Sequence, residues 1–194
     1  MLHSFVMFLH IASAMLLMGS TAASRAAERG VRAAPDLATL RGALDIVQRA
    51  TRFNPALAIV LLISGAVLGR GGWWSEPWLW VAVATWIVNL ILAVRFVVPG
   101  HQALGTAAAQ AGDGPVPAPV DALRHARAPG IALDVMIGLD FGTLLLMIAK
   151  PDVETALLWP VLGVAISCAI RFATNRPGNP RATPAPTAGG LFGG

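Results

Sequence analysis

Charge is scarce in this chain. Asp, Glu, Lys and Arg together make up 12% of its 194 residues, while hydrophobic residues make up 56%. Soluble domains carry about 25% charged residues, so the composition excludes an ordinary water-soluble fold, which would have more apolar surface than it could hide. Cysteine is almost missing: Cys168 stands alone, which rules out an intrachain disulfide and a cysteine-rich metal cluster and makes the thiol inert core. There is also no single basic stripe. The formal charge is +4, but the arginines flank apolar runs, so their placement reads as topological and no nucleic-acid partner is expected.

In place of charge the sequence has long apolar runs. A helix needs roughly 17 to 25 mostly apolar residues to cross about 30 Å of hydrocarbon. Five segments approach that length, at 4–23, 55–69, 77–98, 131–149 and 155–172. The expected fold is all-α, a polytopic transmembrane helix bundle of about five spans over residues 1–172, followed by a Pro/Gly-rich tail at 173–194. The second run is short, and Phe53 before it or the Gly-Trp stretch after it would lengthen it.

Orientation follows from where the basic residues fall, because Lys and Arg in short flanking loops resist translocation. Arg25, Arg29, Arg32, Arg41, Arg49 and Arg52 lie in the first connection, Arg95, Arg124 and Arg127 flank the third, and Arg171, Arg176 and Arg181 follow the fifth span. Of 14 basic residues only Arg70 and Lys150 fall on the opposite face. The N-terminus is therefore expected outside and the C-terminus in the cytoplasm. Small residues from Ser20 to Ser24 resemble a signal-peptide cleavage site, but no Lys or Arg precedes the first run and a cluster follows it. That charge order is the one of a retained anchor. Trp73, Trp74, Trp78 and Trp80 surround the second outer loop and Trp159 begins the fifth span, as an interfacial aromatic belt would.

Outside the spans, residues 36–52 place Leu37, Leu40, Leu44 and Val47 at helical spacing, with Asp36 after Pro35 as a cap. This amphipathic cytoplasmic segment is expected to lie on the inner membrane surface or against a neighbouring subunit. The loop 99–130 is rich in Ala, Gly and Pro, and 112–119 reads as a turn or extended linker. The tail carries Pro177, Pro180, Pro184 and Pro186 and cannot bury enough apolar surface to order itself alone.

Ionisable residues inside a span are costly and are functional candidates by default. His10 lies near the middle of the first run, Asp140 near the middle of the fourth, and Asp134 towards its inner end. His10 and Asp140 reach similar depths, which predicts a hydrogen bond or ion pair, and Asp134 is expected to pair with Arg95. His3 and His10 share a helix face but stand about 10 Å apart at 1.5 Å per residue, too far for one metal ion. One axial imidazole suffices for a haem, which makes His10 a candidate ligand, against a histidine simply satisfied by Asp140 or a backbone carbonyl. His101 and His125 belong to the inner face. Gly138 and Gly142 form a Gly-x-x-x-Gly step that lets another helix approach closely, Pro160 bends the fifth span or marks its start, and Asn89 offers an interhelical hydrogen bond. No catalytic constellation is legible.

With Phe8-Leu9-His10-Ile11 opening the first span and Leu146-Met147-Ile148-Ala149-Lys150-Pro151 closing the fourth, the chain resembles a bacterial family of predicted integral membrane proteins of unknown function. More distantly it resembles the membrane domain of copper-resistance D-type proteins and the small haem-binding protoporphyrinogen oxidase. That resemblance implies a multi-pass protein of the bacterial inner membrane and, through the oxidase, haem b on His10. The chain departs from the wider pattern after that histidine, where Ala14-Met15-Leu16-Leu17-Met18-Gly19 replaces a tryptophan and paired glycines. Three functions follow as expectations: a structural or accessory subunit of a respiratory or photosynthetic membrane assembly, with lipid and protein partners; a haem-b redox protein using His10; or a small transporter passing protons or a metal ion through Asp134, Asp140 and His10.

Overall fold

The computed structural model describes residues 1–174. The expected tail lies outside these residues, apart from Ala173 and Thr174. Within them the chain is all-α, and five helical stretches are long and apolar enough to cross a membrane.

The first helix, α1 (Leu2–Ala33), runs well past residue 23, where the apolar stretch ends. Its second half is rich in Ala and Arg, strong helix formers, and the helix continues until Ala34 turns extended ahead of Pro35. At 32 residues it is about 48 Å long, so it reaches well beyond about 30 Å of hydrocarbon. Asp36 then caps α2 (Leu37–Thr51), its carboxylate accepting from the Thr39 amide at 2.8 Å. After a short break at Arg52 and Phe53 the chain re-enters as α3 (Asn54–Gly69).

A 3-10 turn at Trp73–Ser75 leads into α4 (Pro77–Leu92). The helix does not end there. A π-turn over Ala93–Val97 carries it into α5 (Val98–Gln110). Pro99 has no N–H to donate and its ring crowds the preceding turn; widening that turn to the π form absorbs both defects without ending the helix. Residues 99–110 are thus helix rather than loop, while the chain from Ala111 to Pro117 is extended or turned, as its Gly and Pro content predicts. A short α6 (Ala118–Arg124) precedes α7 (Arg127–Ala149), which ends at Lys150 in a left-handed conformation, φ 45°. Pro151 follows and prevents continuation. Then α8 (Val153–Thr174) runs through Pro160 without breaking, so that proline does not mark its start.

Helices α1 and α7 form the centre, with α3 packed on α1 and both α4 and α8 packed on α7. The closest approach is α7 to α8. A Cβ on Gly138 would lie 2.5 Å from the Val164 Cα, one on Gly142 2.5 Å from the Pro160 Cα, and one on Gly163 2.1 Å from the Gly138 carbonyl oxygen. Backbone meets backbone there, and only glycine fits.

At the arginine-rich end, α2 packs within the chain. Its apolar stripe is covered by this chain: Leu37 and Leu40 are buried with Val31, Ala34, Leu104, Ala108 and Val120. Arg41 fastens the arrangement by donating to the last carbonyls of α5, from Nε to Ala108 at 3.0 Å and from Nη2 to Ala111 at 2.5 Å, groups that a helix end otherwise leaves unpaired. At the tryptophan-rich end, Trp74 and Trp80 are exposed as interfacial indoles would be, but Trp78 is buried against Leu79, Ala82, Leu146 and Ala156. The Lys150 ammonium lies 4.3 Å from the centre of the Trp73 ring, a cation–π contact that holds the end of α7 against the turn before α4.

Candidate functional site

The three candidates His10, Asp134 and Asp140 fall in three separate places, at different helix interfaces. His10 faces α3. Its Nδ1 is 3.2 Å from the Leu61 carbonyl and 3.2 Å from the Ser64 hydroxyl, and Gly65 makes room for the ring, since a Cβ there would lie 3.0 Å from His10 Cε1. Ser64 donates in turn to the Val60 carbonyl at 2.6 Å. The expected contact between His10 and Asp140 is therefore absent. The imidazole is turned to a different neighbour, α3, where the Leu61 carbonyl offers it an acceptor.

Asp134 does not pair with Arg95 either. Arg95 is exposed on the π-turn. Asp134 instead receives Arg25 of α1, Nε to Oδ1 at 2.5 Å, and Arg171 of α8 on its other oxygen. Arg25 also reaches Glu28 at 2.7 Å, and Glu28 reaches Arg32 at 2.6 Å. The Ser167 hydroxyl of α8 donates to the Asp134 backbone carbonyl at 2.7 Å. Both acids are buried, with side-chain exposures of 7% and 8%, so each carboxylate needs these cations to remain charged away from water. Gly130 is what lets α7 pass over the cluster: a Cβ there would lie 2.4 Å from Glu28 Oε1. Glu28, Arg25 and Gly130 are site residues that hydropathy alone did not single out. The Arg25, Glu28 and Arg32 spacing of three and four residues was the available signal, and it goes unread when the helix is taken to stop at residue 23.

The third place is at mid-span between α4 and α7. Asn89 Nδ2 donates to Asp140 Oδ1 at 2.7 Å, which is the interhelical hydrogen bond that Asn89 promised, made to a carboxylate. Asp134 and Asp140 stand about 9 Å apart along α7 and about a third of a turn apart around it, so they address different neighbours.

Two cavities border these sites. A groove of about 690 Å³ runs between α4 and α8 with Leu139 of α7 among its walls, and is otherwise lined by apolar residues, Trp80, Ser75 and Thr85. A void of about 20 Å³, enough for one water, lies under Glu28, His101 and Arg124. His10 lines neither. Among the described residues, no group of three or more His, Cys, Asp or Glu side chains is placed to hold a metal ion. What these side chains do chemically is join helices: α1 to α3 through His10, α1 to α7 and α8 through Asp134, and α4 to α7 through Asn89 and Asp140.

Residues 4–151 match the family described as "Predicted integral membrane protein (DUF2269)". The match covers well over half of the chain, and the chain belongs to that family. No curated protein and no solved structure gives a significant match.

Proposed function

Taking the chain as a member of that family of integral membrane proteins, we propose that it is a structural or accessory subunit of a larger bacterial inner-membrane assembly, with its arginine-rich end in the cytoplasm and its N-terminus outside. The observation that carries this reading is how little of each span is covered by the chain itself. Only 11% to 39% of the residues in the five spanning windows are buried within it, so broad apolar faces remain for lipid and for neighbouring helices. The polar residues that a catalytic or transport reading would use are engaged in holding helices together. His10, Asp134 and Asp140 sit at different interfaces, which speaks against one relay through all three.

The second reading, haem b on His10, is favoured by one feature. A histidine whose Nδ1 is fixed on a backbone carbonyl, as here on Leu61, presents Nε2 as a ligand in many metal sites. Neither cavity described above supports a haem there. His10 lines neither the groove nor the small void, and no second histidine lies deep in a span.

Extraction from the native membrane in mild detergent, with native-gel migration and an absorption spectrum of the same fraction, separates these readings. Co-migration with stoichiometric other chains, and no Soret band lost in His10→Ala, is the expected outcome. A chain migrating alone with such a band would replace the subunit reading with the haem reading.

A further inference from the structure

Asp140 differs from the two buried acids of the bundle, Asp134 and Glu28. Asp134 and Glu28 each meet arginines of this chain. Asp140 meets the neutral amide of Asn89, and among the described residues no lysine or arginine forms an ion pair with it. Asn89 has a need of its own, because its buried Oδ1 has no hydrogen-bond partner among the described residues. The pair lies deep: about 15 Å of helix separate Asp140 from Lys150 at the tryptophan-rich end, half of a hydrocarbon core of about 30 Å.

Asp140 and Asn89 are only half-buried, and α7 opens to the membrane beside them. Phe141 and Leu144 are 56% and 44% exposed, and Val88 on α4 is 44% exposed. Helix α1 covers α7 at Gly130 and Asp134, nearer the other end. An ionised carboxylate at this depth, partly exposed and hydrogen-bonded to one amide, is costly unless a cation joins it.

We propose that Asp140 and Asn89 are the docking point for a membrane-spanning helix of a different polypeptide that carries a lysine or arginine at mid-bilayer. Charge complementarity selects this occupant. A second copy of the chain does not supply the cation, because no lysine or arginine lies in the middle of any apolar run; Arg95 and Arg171 stand at run ends. The incoming ammonium or guanidinium pairs with Asp140, and Val88, Phe141 and Leu144 pack along the helix that carries it. This inference rests on the subunit reading and gives the chemistry of the neighbour.

The test uses the full chain in its native membrane. Asp140→Asn and Asp140→Leu are compared with wild type by native-gel migration after mild extraction, and a photo-crosslinking amino acid replaces Phe141 or Leu144 in the otherwise wild-type chain. The expected result is about a tenfold loss of the large species in both Asp140 variants, the scale of one interhelical polar contact, with crosslinks to a spanning segment that contains Lys or Arg. A wild-type chain that migrates alone overturns the subunit reading and this inference with it. A wild-type complex that Asp140→Asn leaves intact overturns this inference alone. So does a crosslink to a second copy, or to a segment with no basic residue, and the crosslinks remain decisive even where an Asp140 variant fails to accumulate.

Discussion

Removing the carboxylate of Asp134 would leave Arg25 and Arg171 side by side without their shared anion. Breaking a buried pair from one side costs about 3–5 kcal/mol, so Asp134→Ala should lower stability by that order in a denaturant titration of the purified protein. Asp121→Ala is the control: its partner Arg124 meets a carboxylate whose side chain is 46% exposed, and the loss should stay under about 1 kcal/mol. Equal effects would show that Asp134 is not the buried hub described above. Asp36 gives a pH signature. Hydrogen bonds from Thr39, the backbone amide first, hold its carboxyl below the ordinary value of 3.8. A lowered folded value means that the cap contributes fully above the unfolded value and is lost as pH falls through the folded one. Protection of the first amides of α2 in hydrogen exchange should therefore decline as pH drops below about 3.8, and Asp36→Ala should flatten that dependence. At this scale the sequence was half legible. The Asp36 cap could be read from it, and His10, Asp134 and Asp140 could be picked out as polar residues within apolar runs, but their partners could not. Which way an imidazole or carboxylate turns depends on which helix is next door, and hydropathy carries no information about that.

Helix packing depends on a few positions where any side chain is too much. Gly163→Ala would push a methyl group into the Gly138 carbonyl, and Gly138→Ala one into the α8 backbone at Val164. Backbone cannot step aside as a flexible side chain can, so each change should cost about 1–3 kcal/mol. Gly105→Ala makes the opposite case: it lies inside α5 with nothing within 4 Å of the added Cβ, and should stabilise by up to about 1 kcal/mol through helix propensity. Thermal unfolding of the three variants in one detergent checks the contrast, and a neutral Gly163→Ala would contradict the close α7–α8 approach. The Gly138 and Gly142 step announced this contact in the sequence, although its partner Gly163 did not stand out. Helix α5 was illegible, since Pro99, Gly100 and Gly105 read as breakers; the π-turn at Ala93–Val97 that rescues the helix is a local distortion with no sequence signal of its own. The apolar stripe of α2 was legible, but not that α1, α5 and α6 would supply its cover.

The whole molecule is a bundle whose two ends differ in kind, one knit by arginines and the other by tryptophans. Five spans were readable because an apolar run of membrane length is costly anywhere but in a bilayer; their order around α1 and α7 was not, because lipid-facing and helix-facing residues are equally apolar. The proposed orientation, drawn from the arginine count, puts the arginine-rich end in the cytoplasm. In a Cys168→Ser background, Ser75→Cys should react with a membrane-impermeant maleimide in intact cells, and Gln110→Cys only after permeabilisation. The reverse pattern would invert the topology. The subunit reading itself is tested most directly by native mass spectrometry of the chain released from its own membrane in a lipid nanodisc. The expected result is this 20.2 kDa chain bound in fixed ratio to at least one different polypeptide. A mass accounted for by this chain and lipid alone would contradict it.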